Sequence, residues 1–484
     1  MNPQDLLHLF DERAIEAVRP LLALSAGLIV LLLSGVFDGL KALRGPIVVA
    51  TLLFGGWLTA SNFVTQPGVV LDGTYSADRA ASAWGLLFVV ATLLAWLFSH
   101  NYYSDEERPF RLEHDVLMLT TPIGMMLMGG AQNLIVFFVG LEILSIPLYA
   151  LASFRRNRAR SVEAGLKYFL LGAFAAAFFL YGSSLIYAAT GTVQLAEIKA
   201  IGIHGPLALA GVALLMASLF FKISVFPFHL WVPDVYQGSP TPVTALMATG
   251  TKAAAFAFLL NAMFMLPAKA AVLVAVVALV TMALGNLGAL AQTDVKRMLA
   301  YSGIAHAGTL LLVVAGTLAG DPESGGALHA ALFYMGAYVF TAAGAFGLLA
   351  LLERDGERFT SLESLKGLAH RRPVVAAALT LFMLSLGGIP ATGGFLGKWM
   401  VFSSLVRAGL IWPAVIGALL SVIALGYYLR VVIAMYMQPA SERDAATQSV
   451  RGVSAMPATL AAGVCAVFVL VMGVLPSLFL DRLP

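Results

Sequence analysis

Apolar residues run along this chain in long blocks separated by short polar loops, with neither the two-residue alternation of a half-buried strand nor the one-sided stripe of a soluble helix. About fourteen blocks are long enough to cross roughly 30 Å of hydrocarbon as helices. They run approximately from 18 to 37, 46 to 64, 80 to 100, 116 to 131, 133 to 153, 163 to 188, 206 to 226, 242 to 265, 270 to 290, 297 to 317, 326 to 352, 374 to 404, 411 to 437 and 457 to 480. The pattern predicts an all-α polytopic membrane protein. The first block stays as a helix, because its apolar run is too long for a signal peptide and no small-residue cleavage site follows it before Asp38.

Two blocks contain breaks. In the seventh, Pro227 has no N–H, which leaves the carbonyl of Ile223 unpaired, and Pro233 predicts a second interruption within FPFHLWVPDVY. The twelfth, from Val374 to Leu405, amounts to about 32 residues or ~48 Å of helix, too long for one straight crossing. It contains GGIPATGG, Gly387 to Gly394, with Lys398 just beyond. Broken helices persist at membrane depth only where they are buried in protein or line a wet cavity, and paired breaks in two halves mark a transport site. Blocks 4 to 8 and 9 to 13 then form two five-helix repeats of opposite orientation. The chain divides accordingly into residues 1–115, with the first three helices; 116–265, the first repeat; 266–440, the second; and 441–484, a loop and the last helix.

Composition agrees and narrows the chemistry. The 484 residues are 60% hydrophobic and 11% charged, whereas soluble domains carry about 25% charged residues. The net charge of +3 says little; the placement of the charges says more. If the N-terminus faces outward, the inner loops hold Lys41, Arg44, Arg108, Arg111, Arg155, Arg156, Arg158, Arg160, Lys296, Arg297, Arg354, Arg358, Lys366, Arg371, Arg372, Arg443 and Arg451. That is seventeen basic residues against seven on the other side, and the positive-inside rule puts both termini outside. One cysteine, Cys465, excludes an internal disulfide and a cysteine-ligated iron–sulfur cluster, and no phosphate-binding glycine loop occurs. Redox chemistry, if involved, belongs to another chain.

Five basic residues, Lys167, Lys222, Lys252, Lys398 and Arg430, fall within the apolar blocks. A charged lysine at the centre of a bilayer helix costs roughly 2.5 to 3.5 kcal/mol, so such residues normally mark an ion or proton route. Glu142, about halfway along the fifth block, needs a cation or a proton, and Lys222 is the expected partner. The plainer alternative is a static ion pair, although buried pairs stabilise less than apolar packing. Lys252 is flanked by Thr249 and Thr251 and small residues, which leave room for water or for close helix packing. Lys398 is the corresponding charge of the second half, or a lysine snorkelling from a helix end. Lys167 lies one turn from Glu163, where an ordinary pair four residues apart also accounts for it. His229 and Asp234 belong to the connection after the seventh block, and His306 to the tenth block, as proton carriers or simply as hydrogen-bonded residues. Arg430, near Tyr427 and Tyr428, reads as structural. None of the eight histidines forms a metal-spaced cluster.

The runs FKISVFPFHLWVPDVYQGSPTPVTALMATGTKAAAF, VGLEILSIPLYALASFRR, EAGLKYFLLGAF and GGIPATGGFLGKW resemble the antiporter-like subunits of respiratory complex I, the proton-pumping NADH:quinone oxidoreductase, from about Leu117 to Tyr436. Within that family the bacterial N branch fits. The M branch usually carries glutamate where Lys398 stands, and the L branch carries a long lateral helix after its core helices. The resemblance implies that Glu142 and Lys222 form a modulating pair, that Lys252 is the helix-8 lysine and Lys398 the exit residue, and that His229 and Lys167 match the family's helix-7 histidine and helix-6 lysine.

It further implies a proton translocase driven by quinone reduction elsewhere. This chain then holds no cofactor of its own, and flavin, iron–sulfur clusters and quinone lie in partner subunits. Its neighbours are other membrane subunits of the complex and the lipid bilayer, the peripheral redox arm acts indirectly, and nucleic acid has no part. The expected location is the bacterial inner membrane. The alternatives are a subunit of a multisubunit sodium/proton antiporter and a structural membrane subunit that conducts nothing.

Overall fold

The computed structural model describes residues 11–100, 102–103, 111–320, 326–353, 360–439 and 456–484. Arg108, Arg354, Arg358, Arg443 and Arg451 of the inner-loop count lie outside the described residues. The chain is helical almost throughout: α1 (Glu12–Val36), α2 (Arg44–Thr65), α3 (Arg79–Ser99), α4 (Arg111–Gly130), α5 (Leu134–Ala152), α6 (Ala159–Thr190) and α7 (Gly205–Ile223). There follow α8 (Trp231–Gly238), α9 (Thr241–Ala248), α10 (Gly250–Ala262), α11 (Ala271–Leu290), α12 (Val295–Leu318), α13 (Gly326–Leu352), α14 (Pro373–Gly387), α15 (Gly393–Arg407), α16 (Ile411–Met437) and α17 (Met456–Val474). Among the described residues, twelve helical stretches are long and apolar enough to cross a membrane, the pair α9–α10 counting as one. The fourth predicted block is the helix α4, which starts earlier than expected and carries Glu113, His114 and Asp115 in its first turns.

Several helices begin where side-chain oxygens meet the orphan N–H groups of a first turn. Asp11 accepts from the Ala14 N–H, Asp78 from Ala81, Asn133 from Ile135 and Asp294 from Arg297. The strands are two residues each, Val69–Val70 and Tyr75–Ser76, a clasp whose Tyr75 pairs onward with Ala131.

Burial sorts the helices. In the stretch Thr241–Met265, in α12 and in α13, 94% of the apolar window lies inside the fold, against 28% for α1 and α16. The inner three form a spine, and the outer ones present leucine, isoleucine and valine outward. Close approach within each half uses the same device. A Cβ on Gly124 of α4 would lie 2.5 Å from the Leu144 nitrogen of α5, and one on Gly285 of α11 would lie 2.6 Å from the Ala305 nitrogen of α12. Small residues thus let backbones touch where lipid offers no hydrophobic drive.

Both expected breaks occur, with differences. Helix α7 stops because Ser224 turns left-handed (φ 69°), and Ser224 and Val225 return their N–H groups to the carbonyls of Phe221 and Phe220. Downstream, the Phe226 N–H donates to Thr281 Oγ1 of α11 at 3.0 Å. Pro233 does not interrupt: it occupies the first turn of α8, where its missing N–H would have no helical partner anyway. The twelfth block is two half-helices, α14 and α15, separated at Gly388 (φ 84°) and resuming after Thr392. A third break was not expected. Thr249 (φ −106°, ψ −78°) separates α9 from α10, three residues before Lys252.

Candidate functional site

Of the four lysines that fall within the apolar blocks, three sit beside a break and are buried: Lys222 is 4% exposed, Lys252 1% and Lys398 7%. Lys222 ends α7, and its Nζ donates to Ser145 Oγ of α5 at 2.7 Å and to Tyr168 Oη of α6 at 3.4 Å. Glu142 lines the same cavity of about 220 Å³, with Ser145, Tyr149, Ser218 and Lys222. Its Oε1 is buried without a hydrogen-bond partner. The expected contact between Glu142 and Lys222 is therefore not closed: Ser145, one turn along α5, holds the ammonium group while the carboxylate faces the same space.

Lys252 of α10 projects into the spine, where its Nζ donates to the Gly303 carbonyl of α12 at 2.6 Å and lies 5.9 Å from the ring centroid of Tyr236. A Cβ on Gly303 would stand 3.1 Å from both Lys252 Nζ and Tyr338 Oη, so the glycine keeps that junction open. One turn further along α12, His306 is held between two tyrosines. Its Nδ1 is 2.5 Å from Tyr334 Oη and its Nε2 3.2 Å from Tyr428 Oη. Tyr428 also hydrogen-bonds Ser302.

A second cavity of about 200 Å³ opens beside His306, lined by Asn286, Thr309, Lys398, Ser421 and Tyr427. Lys398 donates to the carbonyls of Leu386 at 2.9 Å and Gly387 at 3.1 Å. These carbonyls end α14, where the helix dipole is negative and no further turn donates N–H groups to them, so a cation is favoured there.

The remaining predicted residues lie to one side. Lys167 Nζ is 2.6 Å from Glu163 Oε1 and 3.0 Å from Asp234 Oδ2, and its side chain is 41% exposed. Asp234, in the connection outside the apolar spans, also takes Arg297 Nη1 at 2.7 Å. Burial pushes its carboxyl up, but hydrogen bonds from Arg297 and Lys167 and their positive charges outweigh this and hold it below the usual carboxylate value. His229 is 8% exposed, and its Nδ1 is buried without a partner. Among the described residues no hydrogen bond joins His229 to Lys222 or Lys252. Arg430 behaves as expected of a structural residue, capping α11 through the carbonyls of Leu290 and Gln292. Among the described residues no cluster of three or more histidine, cysteine or carboxylate side chains is placed to hold a metal.

The arrangement is a set of buried ammonium, hydroxyl and imidazole groups carried by α7, α10, α12 and α15, with one cavity beside Lys222 and another between His306 and Lys398. Such groups exchange protons, and lysine and histidine change charge as they do so. The lysines, Glu142 and His306 stand out in the sequence, whereas their neighbours Ser145, Tyr168, Tyr236, Tyr334 and Tyr338 do not.

Residues 131–424 match the family model described as NADH:quinone oxidoreductase/Mrp antiporter, transmembrane. The chain is 41% identical to NADH-quinone oxidoreductase subunit N of Trichlorobacter lovleyi, an alignment covering 99% of this chain and 98% of the relative. Among solved structures it is similar to a chain of respiratory complex I from Thermus thermophilus, with 36% identity, a TM-score of 0.77, and 96% and 98% of the two chains covered. It shares its fold, at 23% identity and a TM-score of 0.79, with a chain of the Mrp complex from Dietzia, covering 97% of this chain and 96% of that one.

Proposed function

The chain belongs to the subunit N branch of the NADH:quinone oxidoreductase/Mrp antiporter family, and on that premise we propose that it translocates protons in the membrane arm of an NADH:quinone oxidoreductase. The observation that carries this reading is the buried file Lys222, Lys252, His306 and Lys398, each member hydrogen-bonded and each beside a helix break or a tyrosine hydroxyl. Protons load this file from the side of the arginine-rich loop, through Lys167 and His229 to Lys252, with Glu142 setting the affinity of Lys222. An electrostatic change in a neighbouring subunit then moves a proton past His306 to Lys398 and out. Electron transfer to quinone, with flavin and iron–sulfur clusters, belongs to partner subunits.

The same reading takes the chain as fourteen crossings, with α14 and α15 sharing one and α4 included. Residues 116–265 and 266–440 form inverted repeats, residues 1–115 and 441–484 flank them, and both termini lie on the outer face of a bacterial inner membrane. The matching glycine contacts of α4 with α5 and of α11 with α12 support the repeat.

The test is proton pumping by membrane vesicles containing the assembled complex. Lys222→Met, Lys252→Met and Glu142→Gln are each expected to lower pumping coupled to quinone reduction by roughly tenfold or more, with oxidation of NADH by an artificial acceptor unchanged. Ser145→Ala, which leaves both charges in place, is expected to have a smaller effect. Full pumping by both lysine variants would overturn the reading. The Mrp-like fold favours a second reading, a cation/proton antiporter subunit, for which activity would depend on sodium and persist without redox partners.

A further inference from the structure

On the face bearing the loop 153–158, a polar cleft of about 460 Å³ opens between helix ends, lined in part by Tyr102, Arg155, Ser239, Lys296 and Glu353. None of these residues is used in the file described above. Lys296 and Glu353 are nonetheless only 2% and 6% exposed, and their charged atoms stand 3.9 Å apart. Buried pairs of this kind add little stability over apolar packing, so stability does not account for the placement.

The surroundings give a direction. Lys296 Nζ donates to the Ser239 carbonyl at 2.5 Å, while the other oxygen of Glu353 accepts from the Thr241 hydroxyl. Thr241 opens α9, and the same chain reaches Lys252 eleven residues later, ~16 Å along the axis at 1.5 Å per residue. One turn after Thr241, Thr244 Oγ1 donates to the Tyr236 carbonyl at 3.0 Å, and the Tyr236 ring is the one beside Lys252. Tyr236 Oη and Thr251 Oγ1 are fully buried and have no hydrogen-bond partner. Glu353 thus meets one hydroxyl, that of Thr241, at the start of the stretch that leads to Lys252; the unpartnered hydroxyl of Thr251 lies further along it, and that of Tyr236 belongs to the ring beside Lys252.

We infer that Glu353 is a proton-loading carboxylate: it takes a proton from water in the cleft and passes it through the Thr241 hydroxyl toward Lys252, with water bridging to the unpartnered Tyr236 and Thr251 hydroxyls. The inference rests on the proton-translocation reading of Lys252. In each cycle the Glu353 carboxylate becomes the acid, its proton moves to the Thr241 oxygen as that hydroxyl releases its own onward, and the neutral amine of Lys252 becomes ammonium. Lys296, 3.9 Å away, faces the emptied carboxylate between cycles.

The test uses the assembled complex in vesicles, with Lys252→Met as reference. Glu353→Gln is expected to lower pumping by roughly tenfold and to enlarge its solvent deuterium isotope effect, with artificial-acceptor oxidation unchanged and Glu353→Asp restoring most of the rate. Thr241→Val is expected to act like Glu353→Gln, and Thr241→Ser like wild type, which keeps the test available if the glutamate variant does not assemble. If Lys252→Met stops pumping while Glu353→Gln and Thr241→Val leave its rate and isotope effect unchanged, Glu353 is a static ion-pair partner and the inference fails alone. If Lys252→Met pumps normally, the underlying reading fails as well.

Discussion

The ammonium group of Lys398 closes the end of a helix to which it does not belong, donating to the Leu386 carbonyl of α14 from within α15 at 2.9 Å. The break between the half-helices is thereby bridged by a cation rather than left to water. On the function proposed above, the lysine has two tasks, neutralising a helix terminus and carrying a proton.

Those tasks separate by substitution. Lys398→Gln keeps a donor for the carbonyls and is expected to assemble while losing pumping. Lys398→Glu sets an anion against the negative end of α14, where a charge is worth about 0.3 to 1 kcal/mol, up to ~2 kcal/mol when partly buried. It is expected to lose pumping and also to lower the amount of complex recovered from membranes. Equal recovery of the two variants would contradict the capping role.

The turn between the half-helices depends on a missing side chain. A Cβ on Gly394 would lie 1.9 Å from the Ser385 carbonyl oxygen, which is backbone and cannot swing aside. Gly394→Ala is expected to destabilise by about 3 kcal/mol and to sharply reduce assembled complex on native gels. Gly463→Ala, where an added Cβ meets nothing within 4 Å, serves as the control and is expected to assemble normally.

The Asp234 junction makes a prediction in pH. Its folded pKa lies below the unfolded value of about 3.9, so its contribution is complete above that value and is lost as the pH falls through the folded pKa. Thermal unfolding of the detergent-extracted complex is expected to show wild type ahead of Asp234→Asn at neutral pH. That advantage should shrink only below about pH 4. An advantage that instead disappears between pH 6 and 8 would assign the effect to another group.

How much of this was legible in the sequence depended on what each residue type can signal by itself. Lysine in an apolar block is a signal without an alignment, because membrane burial of its charge is costly. GGIPATGG announced the break in the twelfth block for the same local reason. Tyr334 and Tyr338 gave no such signal: tyrosine reads as apolar in a long block, and its hydroxyl matters only once α13 is set against α12. The interruption at Thr249 was hidden because small residues around Lys252 also serve close packing. Pro233 misled, since a proline breaks a helix only beyond its first turn, and here it lies within the first turn of α8. Lys296 counts only as an inner-loop charge and Glu353 does not stand out, because their contact joins the ends of two different helices.

The capping of α14 by Lys398 bears on which ion the proposed route would carry. Carbonyl ends of interrupted membrane helices are where transporters commonly bind sodium. Here that seat is taken by a cation covalently tethered to the chain, whose presence does not depend on the concentration of any dissolved ion. Sodium would have to evict the lysine, whereas a proton only needs to join it or leave it. Selectivity would then reside in a competitor built into the sequence, and removing the lysine would open the position to the ion it excludes.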